Sequence, residues 1–159
     1  MVPEFSESRI FRHFVREECH INLSSITINH LDEILSNIDD LQLLGKSMFG
    51  YFNIVYLQAN GTTLSAMERG LVVQRLILTA IEELRPNLQQ TKDEAQIRLY
   101  QILSLRHKEG LRNEEIAARL AISTRHYFRE RTKALKALLN ILLKQEAFSK
   151  EKLRTNHSL

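Results

Sequence analysis

One stretch limits the fold more than any other: Glu109-Gly110-Leu111-Arg112-Asn113-Glu114-Glu115-Ile116-Ala117-Ala118-Arg119-Leu120-Ala121-Ile122-Ser123. Gly110 is placed to end a helix as a left-handed cap, and Leu111 to plug back into a core. Ile116, Ala117 and Leu120 fall on one face of a helix about two turns long. Ala117 is small, so a second helix can approach there. Ala121-Ile122 makes a tight turn with an apolar anchor. Ser123 is an N-cap, its hydroxyl able to accept a backbone N–H of the next helix. That helix opens Thr124-Arg125-His126-Tyr127-Phe128-Arg129. Two short helices, a short turn and a second helix with a polar, basic first half read as a helix-turn-helix.

The remaining sequence reads as helix as well, which makes the expected class all-α: a helical bundle with a C-terminal helix-turn-helix whose recognition helix is extended. A first helix is expected over Ser8 to Cys19, with Ile10, Phe11, Phe14 and Val15 as its apolar stripe. Ile21 to Ile28 reads as non-helical. A helix from about Asn29 to Ser36 buries Leu31, Ile34 and Leu35. Asp39 is placed to open a short helix with Leu41, Leu43 and Leu44. Met48 to Leu57 is open between strand, buried irregular structure and helical turn: its residues are good strand formers, but an isolated strand has no partner. Asn60-Gly61 marks a turn. Ser65 and Glu68 have capping-box spacing. Met67, Leu71, Ile77 or Leu78, Ile81 and Leu84 follow as a helical stripe that Pro86 stops. Asn87 to Thr91 is a polar connector. A further helix runs from about Lys92 to His107, carrying Ile97, Tyr100, Ile102, Leu103 and Leu105.

The resulting division is an acidic helical region over 1–90, a helix-turn-helix domain over 91–148 and a polar, frayed tail over 149–159. Ala134, Leu135, Leu138, Leu139, Ile141, Leu142 and Leu143 cover more than one stripe of the last helix. That is too wide for two short neighbours, so it packs on the N-terminal region or makes a homodimer; packing is the preferred expectation.

Composition removes several classes. Five Gly and two Pro in 159 residues argue against turn-dense all-β and Pro-rich architectures. One cysteine allows no internal disulfide and no multi-cysteine zinc site. No apolar run approaches the ~18 residues of a membrane span, and no signal-peptide pattern opens the chain. No membrane partner and a cytoplasmic location are expected. The six histidines are scattered, with no i, i+4 pair, so neither a metal nor another cofactor is expected. Cys19-His20 could suggest a nucleophile and base, but adjacent helical side chains diverge. With no Gly-rich phosphate loop either, the chain does not read as an enzyme.

Net charge is only +3, yet residues 1–95 hold 8 Lys+Arg against 13 Asp+Glu and residues 96–159 hold 14 against 6. A basic C-terminal half on an acidic N-terminal half suggests a polyanion-facing end. A lysine-rich solvated helix would show the same imbalance.

Residues 98–143 resemble the region-four helix-turn-helix of bacterial sigma factors and the related DNA-binding domain of response regulators. The resemblance rests on Leu105, Glu109-Gly110-Leu111, Glu115-Ile116-Ala117, Leu120, Ile122-Ser123, Ala134 and Leu138. Ser123 to Glu130 with Ala134-Leu135 is similar to a narrower group of bacterial regulators with a Tyr-x-Arg-Glu recognition helix, often preceded by Glu-Glu-Leu-Arg-Pro, here residues 82–86. In that group the module can open a larger signalling protein. Two positions depart from the pattern. Arg112 stands where Ser or Thr is usual and cannot accept from the backbone, so Asn113 caps instead or the first turn frays. Ala121 stands where Gly is usual, which costs on the order of 1 kcal/mol if the turn needs a positive φ.

The resemblance implies double-stranded DNA as partner, with the recognition helix, about Thr124–Lys136, in the major groove. Arg125 is the first choice for a base contact, since guanidinium grips guanine O6 and N7 bidentately. Thr124, His126, Phe128 and Arg129 are further base-contact candidates, Phe128 against a thymine methyl. Arg119, Arg131, Lys133 and Lys136 are phosphate-contact candidates. Ile116, Ala117, Leu120, Ile122 and Tyr127 form the motif core. Glu130 opposes phosphate and is expected to pair with Arg131 or Lys133, or to order the arginines. Two alternatives stand beside the transcription-regulator reading. One is a sigma-type factor that binds RNA polymerase and the upstream promoter element. The other is a protein–protein adaptor on a helix-turn-helix scaffold.

Overall fold

The computed structural model describes residues 21–60, 62–87, 89–90 and 93–156. Within them the chain forms seven α-helices and no strand: α1 (Ile28–Ser36), α2 (Leu41–Lys46), α3 (Asn53–Gln58), α4 (Ala66–Glu83), α5 (Glu94–His107), α6 (Asn113–Arg119) and α7 (Thr124–Asn156). Two 3-10 turns, Leu23–Ser25 and Met48–Tyr51, complete the order. The helix expected over Ser8–Cys19 and the Cys19-His20 pair lie outside the described residues.

Local chemistry sets most of the helix ends. In α1, Leu31, Ile34 and Leu35 are buried at helical spacing. Asp40, not Asp39, opens α2. Its Oδ1 accepts from the Leu43 N–H at 3.0 Å, a reach available only from the residue directly before the first turn. Ser65 and Glu68 close a full capping box on α4: Ser65 Oγ accepts from Glu68 N–H at 3.2 Å and Glu68 Oε2 from Ser65 N–H at 2.7 Å. Asn60, at the expected turn, has φ 49°.

The strand-like run from Met48 to Leu57 is helical, a 3-10 turn followed by α3. Its aromatic and branched residues serve burial instead: Phe49, Phe52 and Val55 are all in the core, and the two rings meet at 5.1 Å. Phe52 precedes α3 and offers no capping oxygen. The cap comes from far along the chain. The Glu146 carboxylate of α7 accepts from the Asn53 N–H at 2.8 Å, the Ile54 N–H at 3.1 Å and the Asn53 side-chain amide at 2.7 Å.

The stripe expected on α4 is rotated. Met67 and Leu71 are exposed, and Gly70, Val73, Ile77, Ala80 and Ile81 are buried. Two glycines explain the rotation, because α2 crosses α4 with backbones in contact. A Cβ on Gly70 would stand 1.8 Å from the Leu41 carbonyl oxygen, and one on Gly45 would stand 1.6 Å from that of Ala66.

One contiguous hydrophobic core runs from Ile26 on one side of the chain's polar connector to Leu142 on the other. The connector at 87–91 therefore separates elements and not cores. The wide apolar surface of α7 is used within the chain: Leu135, Leu138, Leu139 and Leu142 are buried, and α7 touches α1, α3, α4, α5 and α6. The frayed tail expected from Ser149 onward is corrected. Helix α7 continues to Asn156, with Glu146, Ser149 and Leu153 buried at helical spacing and no Gly or Pro to stop it.

Candidate nucleic-acid interface

Three short-range devices set the junctions from α5 to α6 and from α6 to α7. Gly110 takes φ 73° after α5, and Leu111 N–H returns to the Leu105 carbonyl at 3.0 Å. Ala121 takes φ 53° after α6. There Ile122 N–H bonds the Ala117 carbonyl at 3.0 Å and Ala121 N–H the Ala118 carbonyl at 3.1 Å, the bond pair of a Schellman end. The turn thus needs the left-handed conformation, in an alanine. Ser123 Oγ then accepts from His126 N–H at 3.1 Å and starts α7.

The cap of α6 is only half made. Glu115 Oε2 accepts from Arg112 N–H at 2.7 Å, which holds the Glu115 carboxyl below its ordinary range. The Arg112 side chain has no acceptor to return. Asn113 does not take over as cap, contrary to one expectation. Its Oδ1 accepts from the Tyr127 hydroxyl at 2.7 Å and ties the first turn of α7 to the first residue of α6. Tyr127 is fully buried, as are Ile116 and Ala117, while Leu120 and Ile122 are half-buried against the core.

The expected contact residues separate into two groups. Thr124, Arg125, Phe128, Arg129 and Lys136 are exposed. Among the described residues no hydrogen bond or ion pair occupies Arg125, Arg129 or Lys136. Phe128 is 45% exposed, with its inner edge on Tyr127. The others are engaged. Arg119 pairs with Glu109 at 3.1 Å on the surface. The His126 ring lies 3.7 Å from the Glu130 carboxylate, and Lys133 Nζ bonds the same carboxylate at 2.8 Å. Lys133 holds the Glu130 carboxyl below its ordinary range, under a surface that leaves Glu130 buried. Glu130 therefore pairs with Lys133, as one of the expected options had it.

Arg131 departs from expectation. It sits half a turn round α7 from Arg129 and is ion-paired to Asp32 of α1, with its side chain only 19% exposed. Its side chain lies largely enclosed between α7 and α1 and does not share the exposed face of Arg125 and Arg129. The signal for this was the spacing to Tyr127: a residue four positions on from a core tyrosine shares its inward face.

The Glu-Glu-Leu-Arg-Pro run has a local role. The Glu82 carboxylate accepts from the Tyr100 hydroxyl at 3.1 Å and from Lys108, and Arg85 lies over the Tyr100 ring at 5.3 Å. The run fastens α4 to α5. Among the described residues no helix is long and apolar enough to cross a membrane. No protein-family model, no curated protein and no solved structure matches the chain.

Proposed function

We propose that the chain is a DNA-binding transcription regulator, with the N-terminal half of α7 entering the major groove of double-stranded DNA. The observation that carries this reading is the pair Arg125 and Arg129. They stand one turn apart on an exposed face, unpaired among the described residues, at the start of a helix set by a Schellman turn and a serine cap. Long cations left without carboxylate partners lose little in meeting phosphate or guanine. In this reading Arg125 and Arg129 reach base edges, Thr124 and Phe128 flank them, and Lys136 takes a phosphate. His126 and Lys133 take part only after exchanging Glu130 for DNA.

Fluorescence anisotropy on a mixed-sequence duplex, over a salt series, tests this. The expected result is a steep negative log–log salt slope that weakens in Arg125→Ala/Arg129→Ala. Absence of wild-type binding at the lowest salt overturns duplex binding by the chain alone. The polymerase-bound and adaptor readings then take its place, and a polymerase pull-down separates those two.

A further inference from the structure

The solvent line of α7 does not stop where the helix-turn-helix stops. Residues 125, 129, 133, 136, 140 and 144 follow each other at helical spacing, and every one is exposed. They are Arg125, Arg129, Lys133, Lys136, Asn140 and Lys144. No acidic residue shares the line until Glu151, which is exposed and pairs with Arg154. The acids that touch α7 lie elsewhere around it. Asp32 is on Arg131, Glu83 accepts from Gln145 at 2.8 Å, and Glu146 is turned inward onto Asn53.

A merely solvated helix face gains from alternating Glu and Lys at four-residue spacing, and like charges at that spacing oppose the helix. This face keeps like charges in sequence. Lys133 alone among them is offset, by Glu130 beneath it. Lys144, like Arg125, Arg129 and Lys136, has no partner among the described residues. From Arg125 to Lys144 the helix rises about 28 Å. The major groove is only about 12 Å wide, so a groove entered by Arg125 cannot also hold Lys144. Each helical repeat of about 34 Å carries the phosphate ridges of both strands, so a further ridge falls within that span.

Resting on the reading of α7 as a DNA reader, the geometry points to a longer footprint. Asn140 and Lys144 form a second phosphate-contact patch, on duplex that continues less than one turn beyond the groove taken by Arg125 and Arg129. It adds affinity and salt dependence without base readout.

The test compares duplexes of about one and about three helical turns, roughly 10 and 30 base pairs, with wild type, Lys144→Gln and Lys46→Gln. Lys46 is exposed at the end of α2, off the α7 line, and serves as the bulk-charge control. The expected result is a wild-type salt slope steeper on the long duplex. Lys144→Gln should remove about 0.9 from that slope and change nothing on the short duplex, with Lys46→Gln behaving as wild type. An unchanged slope for Lys144→Gln on the long duplex overturns the second patch while leaving the groove reading intact. An equal loss in Lys46→Gln overturns it as well, because the effect is then net charge. Failure of wild type to bind either duplex overturns the groove reading itself and the patch with it.

Discussion

Arg131 of α7 is ion-paired with Asp32 of α1, ninety-nine positions earlier in the chain. The pair joins the acidic N-terminal region to the second turn of α7. It also takes one cation out of the set that a basic helix would offer to DNA. Arg131→Ala is therefore expected to cost about 1–2 kcal/mol in urea unfolding, the roughly 1.5–3 kcal/mol of a hydrogen bond to a charged group reduced by solvent screening at the partly exposed Asp32. It should leave the salt slope of duplex binding unchanged. A slope lowered as far as that of Lys136→Ala would place Arg131 on the phosphates after all.

Beside this pair lies His107, whose imidazole is pushed down to about 4, mainly by burial and further by the charges of Arg106 and Arg131. A folded-state value below the ordinary 6.5 means that the unfolded chain binds the extra proton first. Its contribution is fully present above pH 6.5 and is lost as pH falls from there toward 4. The upper bound is about 3 kcal/mol. Stability measured between pH 7 and 4.5 should fall in the wild type by more than in His107→Gln. Parallel curves for the two proteins would remove His107 as the cause.

The turn between α6 and α7 carries a removable strain. Ala121 sits at φ 53°, where a Cβ is penalised. Ala121→Gly should stabilise the protein by up to about 1 kcal/mol, or roughly 2–4 °C in melting temperature for a chain of this size. Arg112→Ser should add the missing half of the α6 capping box, worth about 0.5–1 kcal/mol, at the loss of only an exposed ion pair to Glu115. A melting temperature that fails to rise in either variant shows that its site is relaxed some other way.

Backbone contact between α2 and α4 leaves no such latitude. Gly70→Ala places a methyl against the Leu41 carbonyl with nothing flexible to yield. The expected cost is about 3 kcal/mol or more, read by thermal melting followed by circular dichroism. Near-wild-type melting would mean that the two helices separate easily.

Glu146 is a buried carboxylate that caps α3 from a distance. Burial raises its proton affinity against the three donors from Asn53 and Ile54. Glu146→Ala should cost about 1–3 kcal/mol by leaving those N–H groups unpaired. Because the folded-state value lies above the unfolded one, the Glu146 contribution weakens as pH rises through the window above 4.5. The stability difference between wild type and Glu146→Gln should shrink over that window. A constant difference would mean that Glu146 holds the same proton affinity in both states.

Sequence alone determined the features whose partners lie within about one helical turn. Ser65 with Glu68, Ser123 with the His126 N–H, Gly110 at a left-handed helix end and Pro86 after α4 are all short-range. Their chemistry is complete in the residues themselves. The all-helical class follows from the same source, since few breakers interrupt the apolar periodicity. Tertiary structure decided whatever depended on a partner far along the chain. Met48 to Leu57 became helical because its apolar residues enter the core and Glu146 caps α3. The buried face of α4 was set by the crossing at Gly70, which hydropathy cannot register because glycine has no side chain to weigh. Asn113 was drawn from capping to Tyr127, and Arg131 from the solvent to Asp32. In each case a local preference worth about 1 kcal/mol yielded to burial and pairing that exist only once the helices have packed.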